Sequence, residues 1–120
     1  MRRRSKYGAI RIGGHASKKE HKRALQLQEM QGQGLISELQ EQVPYILIPA
    51  QYTEKAIQLK TKTKIVQRVA EMPVKYIADF VYKDSDGNVV VEDTKGFRTA
   101  DYIIKRKLMR YVHGISIVEI

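Results

Sequence analysis

Cysteine and long apolar segments are both absent from this sequence of 120 residues. Without cysteine the chain has no disulfide bonds and no thiolate metal sites, and an intracellular compartment is the simpler interpretation. No apolar run approaches the length needed to cross a bilayer, and no apolar segment follows the basic N-terminus as a signal peptide requires. We therefore expect a cytoplasmic protein.

Histidine is scarce, which limits the kinds of catalytic site to expect. The three histidines, His15, His21 and His113, are too far apart in the sequence to indicate a zinc site. No pattern of serine, histidine and aspartate indicates a nucleophilic triad either. Low-complexity tracts are also missing, and with 42% hydrophobic residues the chain is expected to fold as one domain.

Positive charge is the strongest compositional feature. The chain has 22 lysine and arginine residues against 13 aspartate and glutamate residues, a net charge of +9. Such an excess favours a polyanionic partner. Nucleic acid fits better than a membrane surface, because no segment combines a basic face with an aromatic-rich apolar face. The alternative is a basic protein whose charge serves only solubility.

Two short segments in the C-terminal half predict a β-hairpin. Residues 76–82 and 89–96 are rich in β-branched and aromatic side chains, and residues 83–88 between them are mostly turn formers. A three-residue loop, Ser85–Gly87, with Gly87 in the left-handed conformation would fix one register. A two-residue turn would shift the register by one residue and reverse the faces of the second strand.

The three-residue loop places Asp79 opposite Asp93 and brings Lys95 to the same face. The two-residue turn would put Asp93 on the other face. Like charges on opposed residues are destabilising, so the aspartate pair makes poor structural sense without a cation between its members. The rest of that face is predicted to be apolar, formed by Ile77, Val81 and Val91.

This cluster predicts a site for a hard divalent cation. Mg²⁺ takes oxygen ligands, commonly one or two carboxylates together with substrate phosphate and water. The backbone carbonyl of Thr94 would add another oxygen, and Lys95 would hold a hydroxide or stabilise charge that develops on phosphate. The alternative is that Lys95 only neutralises an acidic pair near a sheet edge.

The spacing of these residues resembles that of the PD-(D/E)xK nuclease superfamily, in which an acidic residue and a (D/E)xK triplet lie on adjacent strands. Here Asp79 is followed, after thirteen residues, by Asp93-Thr94-Lys95-Gly96. The segments Tyr-Ile-Ala-Asp-Phe-x-Tyr, Val-Glu-Asp-Thr-Lys-Gly and Thr-x-x-Tyr-x-x-Lys-Arg-Lys-Leu are similar to small phage and prophage proteins of that superfamily, which are grouped with Holliday-junction resolvases. The resemblance runs from about Gly13 to the end. One departure is Ala78, which stands where the pattern has proline.

The resemblance implies an α/β fold: a restriction-endonuclease-like mixed β-sheet core with an N-terminal helix and a C-terminal crossover helix. It implies that Asp79, Asp93 and Lys95 are catalytic and that the aspartates bind Mg²⁺, for which Mn²⁺ would substitute. Nucleases of this kind often carry a metal-reaching glutamate on the first helix, and Glu20 is the matching position. Glu20 is equally well placed to complete a capping box with Ser17, so both roles stay open.

Two basic regions are predicted to contact DNA phosphates. Residues 1–14 resemble a mobile basic arm, with a solubilising tail as the alternative. Thr99 is the expected N-cap of a helix over residues 100–112 that is basic on one side. The predicted DNA-binding residues are Arg2, Arg3, Arg4, Lys6, Arg11, Lys105, Arg106, Lys107 and Arg110. The apolar stripe predicted to pack on the sheet is Ile103, Ile104, Leu108, Tyr111 and Val112.

The remaining segments complete a single predicted domain of residues 15–120. Proline at positions 44 and 49 predicts an edge strand over residues 42–49. The glutamines Gln40 and Gln42 are expected at the surface, and a hydrogen bond from one of them to a metal-bound water is the alternative. A final strand over residues 115–120 should lie parallel to the strand before the helix.

The segment between these strands gives the weakest pattern. Residues 52–64 predict a short helix or an ordered loop that wraps DNA. Residues 65–70 are predicted to begin a strand that continues, past a bulge near Pro73, into the strand that carries Asp79.

Together these features predict a Mg²⁺-dependent DNA endonuclease that hydrolyses phosphodiester bonds. The resemblance narrows the prediction to a phage-type Holliday-junction resolvase acting on branched DNA, in the host cytoplasm if a phage encodes it. Two symmetric nicks call for a twofold homodimer. The alternatives are a non-catalytic basic nucleic-acid-binding protein and a nuclease for flaps, nicks or duplex.

Overall fold

The computed structural model describes residues 17–120, so the predicted basic arm of residues 1–14 lies outside the described residues, with Arg2, Arg3, Arg4, Lys6 and Arg11. The described part contains two helices and six strands. In chain order they are α1 (Lys18–Gly32), β1 (Ser37–Ile48), β2 (Gln51–Gln58), β3 (Thr63–Glu71), β4 (Val74–Lys83), β5 (Val89–Asp93), α2 (Ala100–His113) and β6 (Val118–Glu119). The predicted α/β class, with one helix before and one after the hairpin of a mixed sheet, is confirmed.

The main sheet has four strands in the order β1-β4-β5-β6. The edge strand β1 is antiparallel to β4, and β4 and β5 form the antiparallel hairpin. Helix α2 then crosses over and leads to β6, which pairs parallel to β5. The Ile120 N–H donates to the Asp93 carbonyl at 2.9 Å and extends this pairing. The predicted edge strand and the predicted parallel strand are both confirmed.

The hairpin has the register that the three-residue loop predicts. Phe80 pairs with Glu92 and Val81 pairs with Val91. At the loop, the Asp84 N–H donates to the Asn88 carbonyl at 2.9 Å. Gly87 has φ +81°, a backbone conformation that costs little only for glycine. The next position of this register places Asp79 beside Asp93.

Both helices begin at the residues that capping chemistry predicts. The Ser17 hydroxyl accepts a hydrogen bond from the Glu20 N–H at 3.1 Å, and the Thr99 hydroxyl accepts one from the Tyr102 N–H at 3.3 Å. At the end of α2, Gly114 takes the left-handed conformation, with φ +68°. Within residues 17–120, no helix is long and apolar enough to cross a membrane.

The two helices pack in separate apolar clusters of the main sheet. Tyr82 and Val90 are opposed in the ladder and pack in the cluster that contains α1. Val81 and Val91, the neighbouring pair, pack in the cluster that contains α2. Ile77, predicted on the same face as Asp79, is 53% exposed and belongs to neither cluster.

The predicted apolar stripe of α2 is only partly correct. Tyr102 and Met109 are the buried residues of this helix, seven positions apart and therefore on one side. Ile103 and Leu108 are half-buried at the margin of the contact. The other predicted members are exposed: Ile104, Tyr111 and Val112. Strand β6 has only two residues, so the sheet covers a narrow strip of the helix.

The prediction for residues 52–64 is wrong, because these residues form neither a helix nor a loop. Strands β2 and β3 pair antiparallel in a separate two-stranded sheet, which we call the β2–β3 ribbon (residues 51–71). Strand β3 ends at Glu71 and does not continue into β4. Almost every side chain of the ribbon is exposed, so it lacks the apolar and polar alternation that marks a half-buried strand.

Candidate active site

Asp79 is bound to the Asp-x-Lys segment through Thr94, the middle residue of that triplet. Its Oδ2 accepts hydrogen bonds from the Thr94 N–H and from the Thr94 hydroxyl, both at 2.9 Å. Strand β5 ends at Asp93, which frees the Thr94 N–H from the ladder for a side-chain acceptor. The end of β5 therefore fixes the first aspartate beside the second.

Asp93 is almost completely buried, with 1% of its surface exposed. Its Oδ2 accepts a hydrogen bond from the Tyr76 hydroxyl at 2.5 Å. Its Oδ1 lies 3.3 Å from Lys95 Nζ but has no hydrogen-bond partner within the described residues. Burial raises the pKa of Asp93 above its ordinary value, and the Asp79 charge adds to this, whereas Tyr76 and Lys95 oppose it.

Lys95 links the carboxylates to an aromatic side chain of α2. Its Nζ lies 4.5 Å from the centroid of the Tyr102 ring, a cation–π distance, as well as close to Asp93. Part of the Lys95 side chain remains exposed. The ammonium therefore faces the buried carboxylate while solvent or a substrate can still reach it.

Glu20 reaches this site through an amide. It is buried, and its Oε1 accepts a hydrogen bond from Gln42 Nε2 at 3.0 Å. The same nitrogen lies 3.4 Å from Asp79 Oδ1. Gln42 is exposed, as predicted, and it also bridges the two carboxylates. The alternative role of a glutamine at the metal site therefore stays a prediction, whereas the bridge itself was not predicted. The φ of +54° at Gln42 is uncommon outside glycine and often marks a functional position.

Of the two roles left open for Glu20, the capping half of the Ser17–Glu20 box is formed, because Ser17 accepts from the Glu20 N–H. The carboxylate itself contacts Gln42 beside Asp79. Glu20 therefore stands next to the aspartate pair, and its role as a metal ligand stays a prediction.

The comparison with known protein families concerns nearly the whole chain. The profile of one family, described as a protein of unknown function (DUF1064), matches residues 4–115. The chain belongs to the DUF1064 family. No curated protein and no solved structure matches it. The chemistry of this DUF1064 chain therefore has to be argued from its own side chains.

The side chains of the site include one suitable cation ligand, but the described residues contain no cluster of three such ligands. A buried carboxylate oxygen without a hydrogen bond, such as Asp93 Oδ1, is a suitable ligand for a hard cation. However, within residues 17–120 of this DUF1064 chain no three acidic or histidine side chains form a metal-holding cluster. Asp79 and Asp93 are a pair, and the Thr94 carbonyl stays a predicted ligand.

A second buried carboxylate, Glu92, supports the site from the other face and was missed by the sequence interpretation. Arg23 holds it with two bonds, Nε to Oε1 at 2.8 Å and Nη2 to Oε2 at 2.7 Å. The Tyr82 hydroxyl also donates to Glu92. Arg23 follows Glu20 by three residues, so this fork ties the same stretch of α1 to β5. In the sequence, the only indication of this role was an acidic residue inside an apolar strand. Its partner, Arg23, lies 69 residues away.

The predicted phosphate-binding cations of α2 differ in their ion pairs and in their exposure. Arg106 lies 3.1 Å from Glu119, the β6 residue that pairs with Asp93. Arg98 also contacts Glu119, and these contacts hold the pKa of Glu119 below its ordinary value. Lys107 and Arg110 are exposed and line a depression of about 240 Å³ with Arg106, Ser116 and Ile117. Lys105 is half-buried.

Proposed function

We propose that this DUF1064 chain is a Mg²⁺-dependent DNA endonuclease and that its substrate is branched DNA, a four-way junction in particular. The observation that carries the proposal is the buried, unbonded Asp93 Oδ1, which lies beside Lys95 and next to the Asp79 carboxylate. A buried carboxylate that its partners compensate only in part is costly, and such costs are often retained at functional sites. The net charge of +9 supports a polyanionic substrate.

Each side chain has a role in this proposal. Asp79 and Asp93 would hold the cation, with Glu20 beside them through Gln42. When bound, Mg²⁺, or Mn²⁺ in its place, would neutralise charge on the scissile phosphate. Lys95 Nζ has three N–H donors, and it would orient the attacking water or stabilise charge developing on a phosphate oxygen. Tyr76 holds the Asp93 carboxylate in place.

The test is cleavage of a synthetic four-way junction beside a linear duplex of the same arms. Each DNA is incubated with Mg²⁺, with Mn²⁺ and with EDTA, using the wild type and Asp93→Asn. Asp86→Asn is the matched control, because Asp86 is an exposed aspartate in the loop at the other end of the hairpin. A second readout is the unfolding temperature, which Mg²⁺ should raise in the wild type and in Asp86→Asn but not in Asp93→Asn.

Paired symmetric nicks in the junction alone, lost with EDTA and with Asp93→Asn, are the expected result. Equal cleavage of the duplex would keep the nuclease and remove the resolvase. Two symmetric nicks also need a twofold homodimer, which sedimentation in the presence of the junction would reveal.

The second candidate is a non-catalytic basic nucleic-acid-binding protein. The observation that favours it is the lack of a three-carboxylate cluster in residues 17–120. It predicts that both DNAs are bound and neither is cut. In that case Asp93→Asn should bind DNA at least as tightly as the wild type, because it removes a negative charge near phosphate.

A further inference from the structure

The β2–β3 ribbon carries its positive charges on one of its two faces. Thr53 opposes Arg68, Lys55 opposes Val66 and Ile57 opposes Lys64. Side chains alternate along a strand and opposed residues share a face, so these six side chains lie together. The opposite face holds Tyr52, Glu54, Ala56, Gln58, Thr63, Ile65, Gln67 and Val69. It has no lysine or arginine, and its one charged residue is an acid.

The ribbon cations are not neutralised by the rest of the domain. Lys60 and Lys62 lie in the tight turn at the tip, where the Leu59 N–H donates to the Lys62 carbonyl at 2.8 Å. Together with the three cations of the ribbon face they make five positive charges. None of the five forms an ion pair with a carboxylate of residues 17–120. This concentration of unpaired charge exceeds what a short surface hairpin needs for solubility.

Among residues 17–120, the ribbon pairs with no strand of the main sheet. Its strands pair with each other, and their side chains are exposed apart from Ile57 and Val66, which are half-buried among the cations. A two-stranded hairpin alone is marginally stable in water. A segment of this kind is stabilised when a partner covers it.

We propose that the β2–β3 ribbon is a nucleic-acid-binding arm whose cationic face lies against the phosphate backbone. Lys64 and Arg68 are four residues apart on one strand, which separates them by about 13 Å. The major groove of B-form DNA is about 12 Å wide and admits a two-stranded ribbon. Two cations at this spacing match phosphates on the two walls of the groove, and the tip lysines extend the contact along the backbone.

A second copy of the chain is the competing occupant, since the face opposite the cations exposes Tyr52, Ile65 and Val69. On that face, however, Glu54 and Gln67 form a polar pair between the Tyr52–Val69 and Ala56–Ile65 pairs and interrupt the apolar surface. The charge asymmetry therefore favours a polyanion on the cationic face. The inference rests on the proposed nucleic-acid partner but not on the catalytic residues.

The experiment compares two full-length variants of equal net charge. Lys55→Gln with Arg68→Gln removes two positive charges from the cationic face. Gln58→Glu with Gln67→Glu adds two negative charges to the opposite face, so both variants fall from +9 to +7. Affinity for a linear duplex and for a four-way junction is measured over a series of KCl concentrations, in EDTA so that no cleavage occurs. Circular dichroism and sedimentation establish the fold and the oligomeric state of each variant.

The cationic-face variant should reduce the slope of log affinity against log salt by about 1.8, the value for two lost phosphate contacts. The opposite-face variant should keep the wild-type slope. Equal changes in both variants, or no change in either, would overturn the proposal. So would a wild-type dimer that only the opposite-face variant dissociates, because the ribbon would then bind a second copy.

The outcome is independent of the nuclease proposal. If the wild type cleaves DNA and the cationic-face variant still binds DNA normally, the proposed role of the ribbon is refuted and the nuclease proposal stands. If the wild type cleaves no DNA and the cationic-face variant loses binding, the proposed role of the ribbon stands and the nuclease proposal is refuted.

Discussion

At the scale of single residues, the features of Asp93 that support the proposed function also reduce the stability of the fold. The carboxylate is buried, faces the like charge of Asp79 and leaves Oδ1 without a hydrogen bond. Tyr76 and Lys95 compensate only in part, since the pKa of Asp93 is still raised. A bound cation would remove the remaining cost, which gives the chain a physical reason to bind one.

The raised pKa of Asp93 predicts a stability difference that depends on pH. A carboxyl group whose pKa is higher in the folded chain stabilises the fold fully below its unfolded pKa, here 3.8, and loses that contribution as the pH rises through the folded value. Asp93→Asn lacks this titration. The wild type should therefore lose stability relative to Asp93→Asn as the pH rises from 3.8 towards neutrality. Urea unfolding of both proteins in EDTA measures the difference.

Asp86→Asn is the control for this experiment, because it removes an exposed aspartate from the same hairpin. Its stability difference from the wild type should not follow the trend of Asp93→Asn. The opposite result would be a wild type that gains stability relative to Asp93→Asn as the pH rises. The contacts of Asp93 with Tyr76 and Lys95 would then outweigh the effects of burial and of the Asp79 charge.

At the scale of secondary-structure elements, the Arg23–Glu92 pair fixes α1 on the sheet. The fork joins a helix to a strand that lies far away in the sequence, and it begins one turn after Glu20. Glu92 is 1% exposed, so removing Arg23 would leave a buried charge without its main partner. The pair therefore positions the stretch of α1 that carries Glu20 as well as stabilising the fold.

Arg23→Met should destabilise the chain by about 3 kcal/mol, because it leaves the Glu92 carboxylate buried with the Tyr82 hydroxyl alone. The double variant Arg23→Met with Glu92→Met should be more stable than Arg23→Met, since no unpaired charge remains. Urea unfolding of the two single variants and the double variant gives the coupling energy. Arg23→Lys is the control that keeps the charge but loses the two-bond geometry. A double variant less stable than Arg23→Met would contradict this account.

Elements that depend on local chemistry could be predicted from the sequence. Ser17 and Thr99 begin the helices, and Gly87 fixes the hairpin register, because each acts on residues next to it in the chain. That register brought Asp79 to Asp93. The ribbon was missed because its strands expose both faces and so show no alternation. The partners of Arg23 and Gln42 were not predicted, because their bonds to Glu92 and Asp79 span 69 and 37 residues.

At the scale of the whole molecule, the excess positive charge is divided between separate surfaces. One is the cationic face of the β2–β3 ribbon, and another is the exposed side of α2 with Lys107 and Arg110. Arg106 contributes less than its position in the sequence predicts, because Glu119 neutralises it. The number of phosphate contacts should therefore be smaller than a count of basic residues indicates.

The two surfaces should contribute independently to DNA binding. Lys107→Ala with Arg110→Ala should reduce the salt slope by about 1.8, whereas Arg106→Ala should change it little. Combined with Lys55→Gln and Arg68→Gln, the first pair should reduce the slope by about 3.6, since distant sites add. Lys18→Ala with Lys19→Ala, exposed cations of α1, is the charge-matched control. If the combined variant reduced the slope no more than either pair alone, the two surfaces would not contribute independently to DNA binding, and this account of two separate phosphate-binding surfaces would be wrong.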